Sequence, residues 1–190
     1  MTNLTIPECF QITHEQFWRL AQANPNLRLE RTATGELIIM PPTGGVTGNR
    51  NLDIEGQLWL WNRQTKLGKA FNSSTGFHLP SGADRSPDAA WITQERWNNL
   101  TSEEQMGFVP LCPDFVVELR SASDDLPKLQ KKMQEYLDNG IRLGWLIDPQ
   151  RQKAEIYKPN AAVQVLNHPT QLSGEDVLPG FILDLTEVWR

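Results

Sequence analysis

PDFVVELRSASDDLPKLQKKMQEYLDNGIRLGWLID, residues 113–148, is the stretch from which the fold can be read. Phe115, Val117 and Leu119 alternate onto one side of a strand. Ser123 to Asp125 then offer N-cap side chains, Pro127 suits the first turn of a helix, and Gly140 suits its C-terminal stop. LGWLID, 143–148, follows as a short apolar run of the buried-strand type. A strand, a helix and a second strand at this spacing form a right-handed crossover, so the two strands lie parallel. On the helix, Leu129, Met133, Tyr136 and Leu137 share a face, Lys132 sits at its border, and Lys128 and Lys131 point further outward.

Beyond this unit, KAEIYK and AAVQVL add antiparallel strands and LPGFILDL forms the tail. Toward the N-terminus, PDAAWI (87–92) and FNSSTGFHL (71–79) read as two strands separated by SGADRS, and TQERWNNLTSEEQ has room for a short helix. Leu52, Ile54, Leu58, Leu60 and Trp61 have helical spacing, which predicts a long helix over 49–64. TGGVTGN, 43–49, reads as a turn and helix entry, because the lysine that completes a phosphate loop is missing. LRLER and ELIIM flank Thr34-Gly35 as a hairpin. Thr13 and Gln16 have the spacing of a capping box for a first helix over 14–23. The fold class is α/β, a central mixed sheet flanked by helices.

The chain has 190 residues and a mass of 21.6 kDa, the size of one domain. Its 39% hydrophobic and 22% charged composition is that of a globular protein. Eighteen basic against 23 acidic residues give −5, and the pI is near 5.2, so no overall positive field draws in nucleic acid or an anionic membrane. No segment has the length and apolarity of a membrane span, and MTNLTIPECF lacks the pattern of a leader. The reading is of a cytoplasmic protein. Cys9 and Cys112 are too few for a disulfide framework, and His14, His78 and His168 are too scattered for a Cys/His zinc pattern. Of the seven Trp residues, Trp61, Trp91 and Trp145 fall at core positions and are given no binding role.

Three residues carry the chemistry. Glu118, inside the apolar strand FVVEL, is costly to bury without a partner or a metal. Alternation puts Asp114, Val116, Glu118 and Arg120 on one face, so an edge strand with a solvated face, or a Glu118–Arg120 ion pair, is the competing account. Asp88 begins the preceding strand; if the two strands pair antiparallel, it converges on Glu118. Otherwise it is a Pro-Asp turn residue. Asp114 is about 13 Å of strand from Glu118 and cannot share one ion with it. Two carboxylates, a main-chain carbonyl and waters are the hard oxygen donors that Mg²⁺ prefers. Lys132 is the lysine best placed to face the sheet, or else it snorkels over apolar surface.

GELIIMPPTGG, RSPDAAWI, PDFVVELRS, KMQEYLDNGIRLGWLIDP and LPGFILDL together resemble the Uma-two family, within the PD-(D/E)XK nuclease superfamily with its restriction-endonuclease-like fold. The resemblance runs from about Glu36 to Trp189. It implies one restriction-endonuclease-like domain over 1–190, with a helix and hairpin extension at 1–35 and a core at 36–190. It makes Asp88 and Glu118 the metal-holding acids and the carbonyl of Leu119 a third ligand. Arg120 takes the position of the motif lysine and, being permanently protonated, can hold phosphate but cannot accept a proton. Lys132 stands four residues before Tyr136, in the place of the glutamine in the Q-x-x-x-Y arrangement of some relatives. Glu36 matches a recurrent acid, and Asp114 and Tyr136 are accessory. The implied function is Mg²⁺- or Mn²⁺-dependent endonucleolytic hydrolysis of DNA, in a protein that pairs as a homodimer. The alternative is a catalytically inactive nuclease-fold module that binds nucleic acid or a protein.

Overall fold

The structure, a computed structural model, describes residues 10–190; Cys9 lies outside the described residues. The elements run in chain order as α1 (His14–Ala23), β1 (Arg28–Arg31), β2 (Leu37–Met40), α2 (Gly45–Thr65), β3 (Gly68–Asn72), β4 (Phe77–His78), β5 (Asp84–Arg85) and β6 (Ala89–Thr93). They continue as α3 (Gln94–Asn98), α4 (Ser102–Met106), β7 (Phe115–Leu119), α5 (Leu126–Asp138), β8 (Leu143–Asp148), β9 (Lys153–Tyr157), β10 (Gln164–Asn167), β11 (Gln171–Ser173) and β12 (Ile182–Asp184).

The crossover forms as its residues dictate. The Asp125 side chain accepts the Lys128 N–H, Pro127 occupies the first turn, and Asn139 closes α5 ahead of Gly140, which takes φ +98°. β7 and β8 pair in parallel, with Glu118 opposite Leu146 and Leu119 opposite Ile147. They are the centre of a six-stranded sheet in the order β10-β9-β8-β7-β6-β3, every other pairing of which is antiparallel. β11 and β12 pair as a hairpin, and β2-β1-β5-β4 form a second sheet of four strands.

Both faces of the large sheet are covered. On one, Phe115, Val117 and Leu119 pack with Trp145, Trp61 of α2 and Phe181 near β12. The rings of Phe115 and Trp145 meet edge to face at 4.7 Å, and those of Trp145 and Phe181 stack at 6.0 Å. On the other, Val116 and Leu146 pack under Met133 and Tyr136 of α5. The solvated-face account of β7 therefore does not hold: all five residues are buried, because α5 folds back over the side that carries Glu118.

Three further expectations are corrected. TGGVTGN is largely helix: Gly44 caps α2, which starts at Gly45, and burial of Ile54, Leu58 and Trp61 carries the helix through the glycines. FNSSTGFHL is not one strand. Asn72 Oδ1 accepts the Ser74 N–H at 3.1 Å, an Asx turn that ends β3 before β4 begins. The boundary proposed between residues 35 and 36 cuts the β1–β2 hairpin, and β1 also pairs with β5 at Arg31–Asp84, so the hairpin is built into the body of the protein. TQERWNNLTSEEQ holds two short helices, α3 and α4.

Among the described residues no helix is long and apolar enough to cross a membrane. Cys112 is buried, and that burial pushes its thiol up to about 12, which leaves it inert as a nucleophile. Replacing Phe115, which is fully buried between α2, β8 and the tail, by Ala will cost about 3–5 kcal/mol of unfolding free energy, measured by urea denaturation.

Candidate active site

Antiparallel pairing sets Ala89 opposite Val117, which brings Asp88 at the entry to β6 beside Glu118 near the end of β7. Both line a cleft of about 320 Å³ with Arg28, Gly44, Asn51 and Lys132. Its walls are the β1–β2 hairpin, the N-terminus of α2, the end of β7 with the loop that follows, and α5.

Lys132 reaches inward from α5 and places Nζ 2.8 Å from Glu118 Oε1 and 2.8 Å from Glu30 Oε1. The Tyr136 hydroxyl, one turn further along, donates to the same Glu118 oxygen at 3.0 Å. Glu30, from β1, accepts the Ser86 N–H at 3.0 Å and pairs with Arg85 at 3.1 Å, and Arg85 also binds Glu135 of α5. Asp88 Oδ2 accepts the Leu119 N–H at 2.8 Å, and its Oδ1 accepts from Asn51 Nδ2 at 3.2 Å with Arg28 3.9 Å away.

The electrostatics follow from depth. Burial pushes the Glu118 carboxyl up to about 7; Lys132 works against the shift, while the negative charges of Asp88 and Glu30 add to it. Burial also raises Asp88, against the Leu119 N–H and Lys132. For Glu30, burial is outweighed by Lys132 and Arg85, and its pKa falls. Burial would likewise lower Lys132, but Glu118 and Glu30 prevail and hold it as an ammonium. Burial first, then the neighbouring carboxylates, lifts Tyr136, which stays a neutral phenol and hydrogen-bond donor.

The residues present fit a hard divalent cation. Asp88 and Glu118 supply carboxylate oxygens, Leu119 lies at the cleft wall, and Asn51 Oδ1 is buried with no hydrogen-bond partner among the described residues. An all-oxygen set next to two carboxylates whose burial disfavours their charge is the environment that Mg²⁺ or Mn²⁺ relieves.

Of the residues expected from sequence, Asp88, Glu118, Leu119, Lys132 and Tyr136 come together. Arg120 does not join them. The parallel register brings it out beside Asp148, where Nη1 binds Oδ2 at 2.9 Å and Nε donates to the Asp124 carbonyl at 3.3 Å. Asp114 stands at the other end of β7, accepting the Thr93 N–H and pairing with Arg96 at 3.0 Å. Glu36 is exposed at the hairpin turn, bridged to Gln11. The acid that does enter the site from this hairpin is Glu30, which sequence reasoning missed along with Asn51, Arg28 and Arg85. Glu30 and Arg28 alternate with apolar neighbours as residues of a solvated strand face do, and only the packing of β1 beneath α5 reveals them. For Asn51 the available signal was an amide one turn before Ile54 and two before Leu58, on the buried side of α2.

A mixed sheet whose central parallel pair is joined by a helix, with two acids and a lysine meeting at one strand end, defines a mixed α/β protein with a buried acid–lysine cleft. The chain belongs to the Uma2 family, described as "Putative restriction endonuclease", which it matches over residues 14–186. Among solved structures it is similar to a crystal structure titled "a putative nuclease belonging to DUF820" from Anabaena variabilis. That likeness has a TM-score of 0.72 and 19% identity over 85% of this chain and 89% of the other, and it shows the shared fold. No curated protein matches the chain.

The raised Glu118 has a sign that can be tested. Folded Glu118 keeps its proton to about 7, against 4.5 in the unfolded chain, so its contribution to stability is complete below 4.5 and is lost as pH rises through 7. In metal-free buffer, urea denaturation of the wild type relative to Glu118→Gln will show a relative loss of up to about 3 kcal/mol between pH of about 5 and about 8.

Proposed function

We propose that the protein is a Mg²⁺- or Mn²⁺-dependent endonuclease that hydrolyses DNA phosphodiester bonds in this cleft. The observation that carries the reading is the buried ammonium of Lys132 held against Glu118 while Asp88 faces the same space. Asp88, Glu118 and the Leu119 carbonyl would hold the ion, which supplies a bound water of lowered pKa and offsets charge on the phosphoryl oxygens.

The chain's own residues do the rest. Asn51 and the Leu119 N–H fix the two oxygens of Asp88, so its carboxylate does not rotate as substrate enters. Lys132 stays protonated and acts as a hydrogen-bond donor and fixed positive charge, orienting the attacking water and stabilising the negative charge that builds as the P–O ester bond breaks. Tyr136 and Glu30 hold Glu118 and Lys132 in place. Arg28, whose Nε is buried and unpartnered among the described residues, stands at the wall with the N–H groups at the start of α2, a cationic border suited to a flanking phosphate. The phosphate-holding role expected of Arg120 passes to Arg28 in this reading.

The binding-only alternative would gain from a Glu118 neutralised by Arg120 and a Lys132 on solvent. Arg120 instead binds Asp148, and the Lys132 side chain is 12% exposed and directed at Glu118, which favours the hydrolytic reading.

With Mg²⁺ or Mn²⁺, the wild type will nick supercoiled plasmid, and Asp88→Ala and Lys132→Met will each lower the single-turnover rate by more than about a hundredfold. Arg120→Ala will keep the rate within about tenfold, because Arg120 pairs with Asp148 and braces the loop after β7 from behind without contacting Asp88, Glu118 or Lys132. A wild type no faster than Asp88→Ala on plasmid, linear duplex and single-stranded DNA rejects the assignment.

A further inference from the structure

Away from the cleft, the two histidines that sequence spacing separates come together. His14 opens α1 and His78 lies in β4, yet their Nδ1 atoms stand 2.9 and 2.8 Å from one oxygen, Oδ1 of Asp84 in β5. Their ring centroids are 3.9 Å apart with the planes tilted by 42°, and the three donor atoms lie within 4.8 Å of one another. Asp84 is fully buried, with its other oxygen held by Arg31 Nε at 2.8 Å. Arg31 in turn donates to the carbonyls of Ile12 and Gly82, which flank His14 and Asp84 in the chain. The imidazole side chains are 41% and 30% exposed.

We infer that His14, His78 and Asp84 form a second metal site, for a transition ion of the Zn²⁺ class, separate from the cleft and independent of the nuclease reading. Ligands each about 2.1 Å from an ion stand about 3 Å apart at right angles and about 3.4 Å apart at the tetrahedral angle of Zn²⁺, so the imidazole nitrogens, 2.9 and 2.8 Å from Oδ1, would move apart from it by about half an ångström on binding. Two imidazoles and one carboxylate on one side, with solvent on the other, leave positions for water, a set with a preference for Zn²⁺, Co²⁺ or Ni²⁺. Mg²⁺ favours oxygen donors and competes poorly here, as the all-oxygen ligand set proposed in the cleft is the better match for it. Arg31 does for Asp84 what an outer hydrogen bond does for a metal-bound carboxylate: it fixes the orientation and leaves one oxygen directed at the histidines. The ion would clamp the start of α1 to the β4–β5 edge of the small sheet.

The full-length protein, stripped with chelator and held in excess Mg²⁺, is titrated with Zn²⁺ by calorimetry, and Co²⁺ loading is followed by visible absorption. Wild type and Asp88→Ala will each take up one equivalent, with ligand-field bands on Co²⁺ loading and a rise in melting temperature on Zn²⁺ addition. His14→Gln and His78→Gln, changes at partly exposed side chains that leave the Asp84–Arg31 pair intact, will bind more than about tenfold more weakly and lose the thermal shift. His168→Gln, on the far β10 side, will behave as wild type. No uptake in excess Mg²⁺, uptake unchanged in both histidine variants, or uptake abolished by Asp88→Ala alone would overturn the inference and leave the cluster a hydrogen-bonded clamp.

Discussion

One buried ammonium ties the cleft together. Taking an amine and two carboxylates out of water costs several kcal/mol per ion, and only close, fully satisfied pairing repays it. Lys132 meets that condition with Glu30 from the hairpin and only in part with Glu118 from the central strand, whose burial the pairing does not outweigh. Arg85 extends the same logic, joining Glu30 to Glu135 one turn along α5 from the lysine. The crossover helix, the large sheet and the small sheet are thereby held at one point, and none of the three charges can be withdrawn without stranding another. The small sheet is for this reason a wall of the cleft and not an appendage to it.

What was legible in the sequence was local. The caps of α5, the Pro at its start and the Gly after its end specify a helix of fixed length, and a helix of fixed length between two apolar runs specifies a parallel pair. From that pair and the apolar PDAAWI strand, the meeting of Asp88 with Glu118 follows once those two strands pair antiparallel, as they do. What was not legible was set by contacts distant in the chain. Lys132 and Glu30 are 102 residues apart, and a glutamate in a four-residue strand looks the same whether it faces water or an ammonium. Arg120 misled because alternation assigns it to the face of Glu118, but the strand ends at Leu119 and the next side chain turns to Asp148. Spacing alone sets the histidines apart, because His14 and His78 are joined through Asp84 by folding and not by sequence interval.

β1 links the two polar clusters. Glu30 and Arg31 are consecutive, so their side chains leave the strand on opposite faces. Glu30 enters the cleft network, while Arg31 holds Asp84 and, through it, both histidines. All of this rests on a four-residue strand with three buried positions, two of them charged. Such a strand contributes little apolar area and is specified instead by its ion pairs, which explains why hydrophobic patterning identified the hairpin but not what the hairpin does.

The acidic balance also takes on a particular meaning. The net charge of −5 gives no long-range attraction for a polyanion, and the cations of the cleft are largely committed: Lys132 to two carboxylates, Arg85 to two. Arg28 is the cation left with unused donor capacity, beside Asp88. A phosphate entering this cleft meets Asp88 and Glu118, with Arg28 and Lys132 the cations beside them and no surplus of positive charge. On the proposed reading, substrate affinity is therefore supplied by the divalent ion more than by the protein's field, and by linkage the phosphate must tighten the ion to the same degree that the ion tightens the phosphate. A site organised this way holds nucleic acid weakly in the absence of metal, and it needs no basic surface to be selective for a phosphodiester.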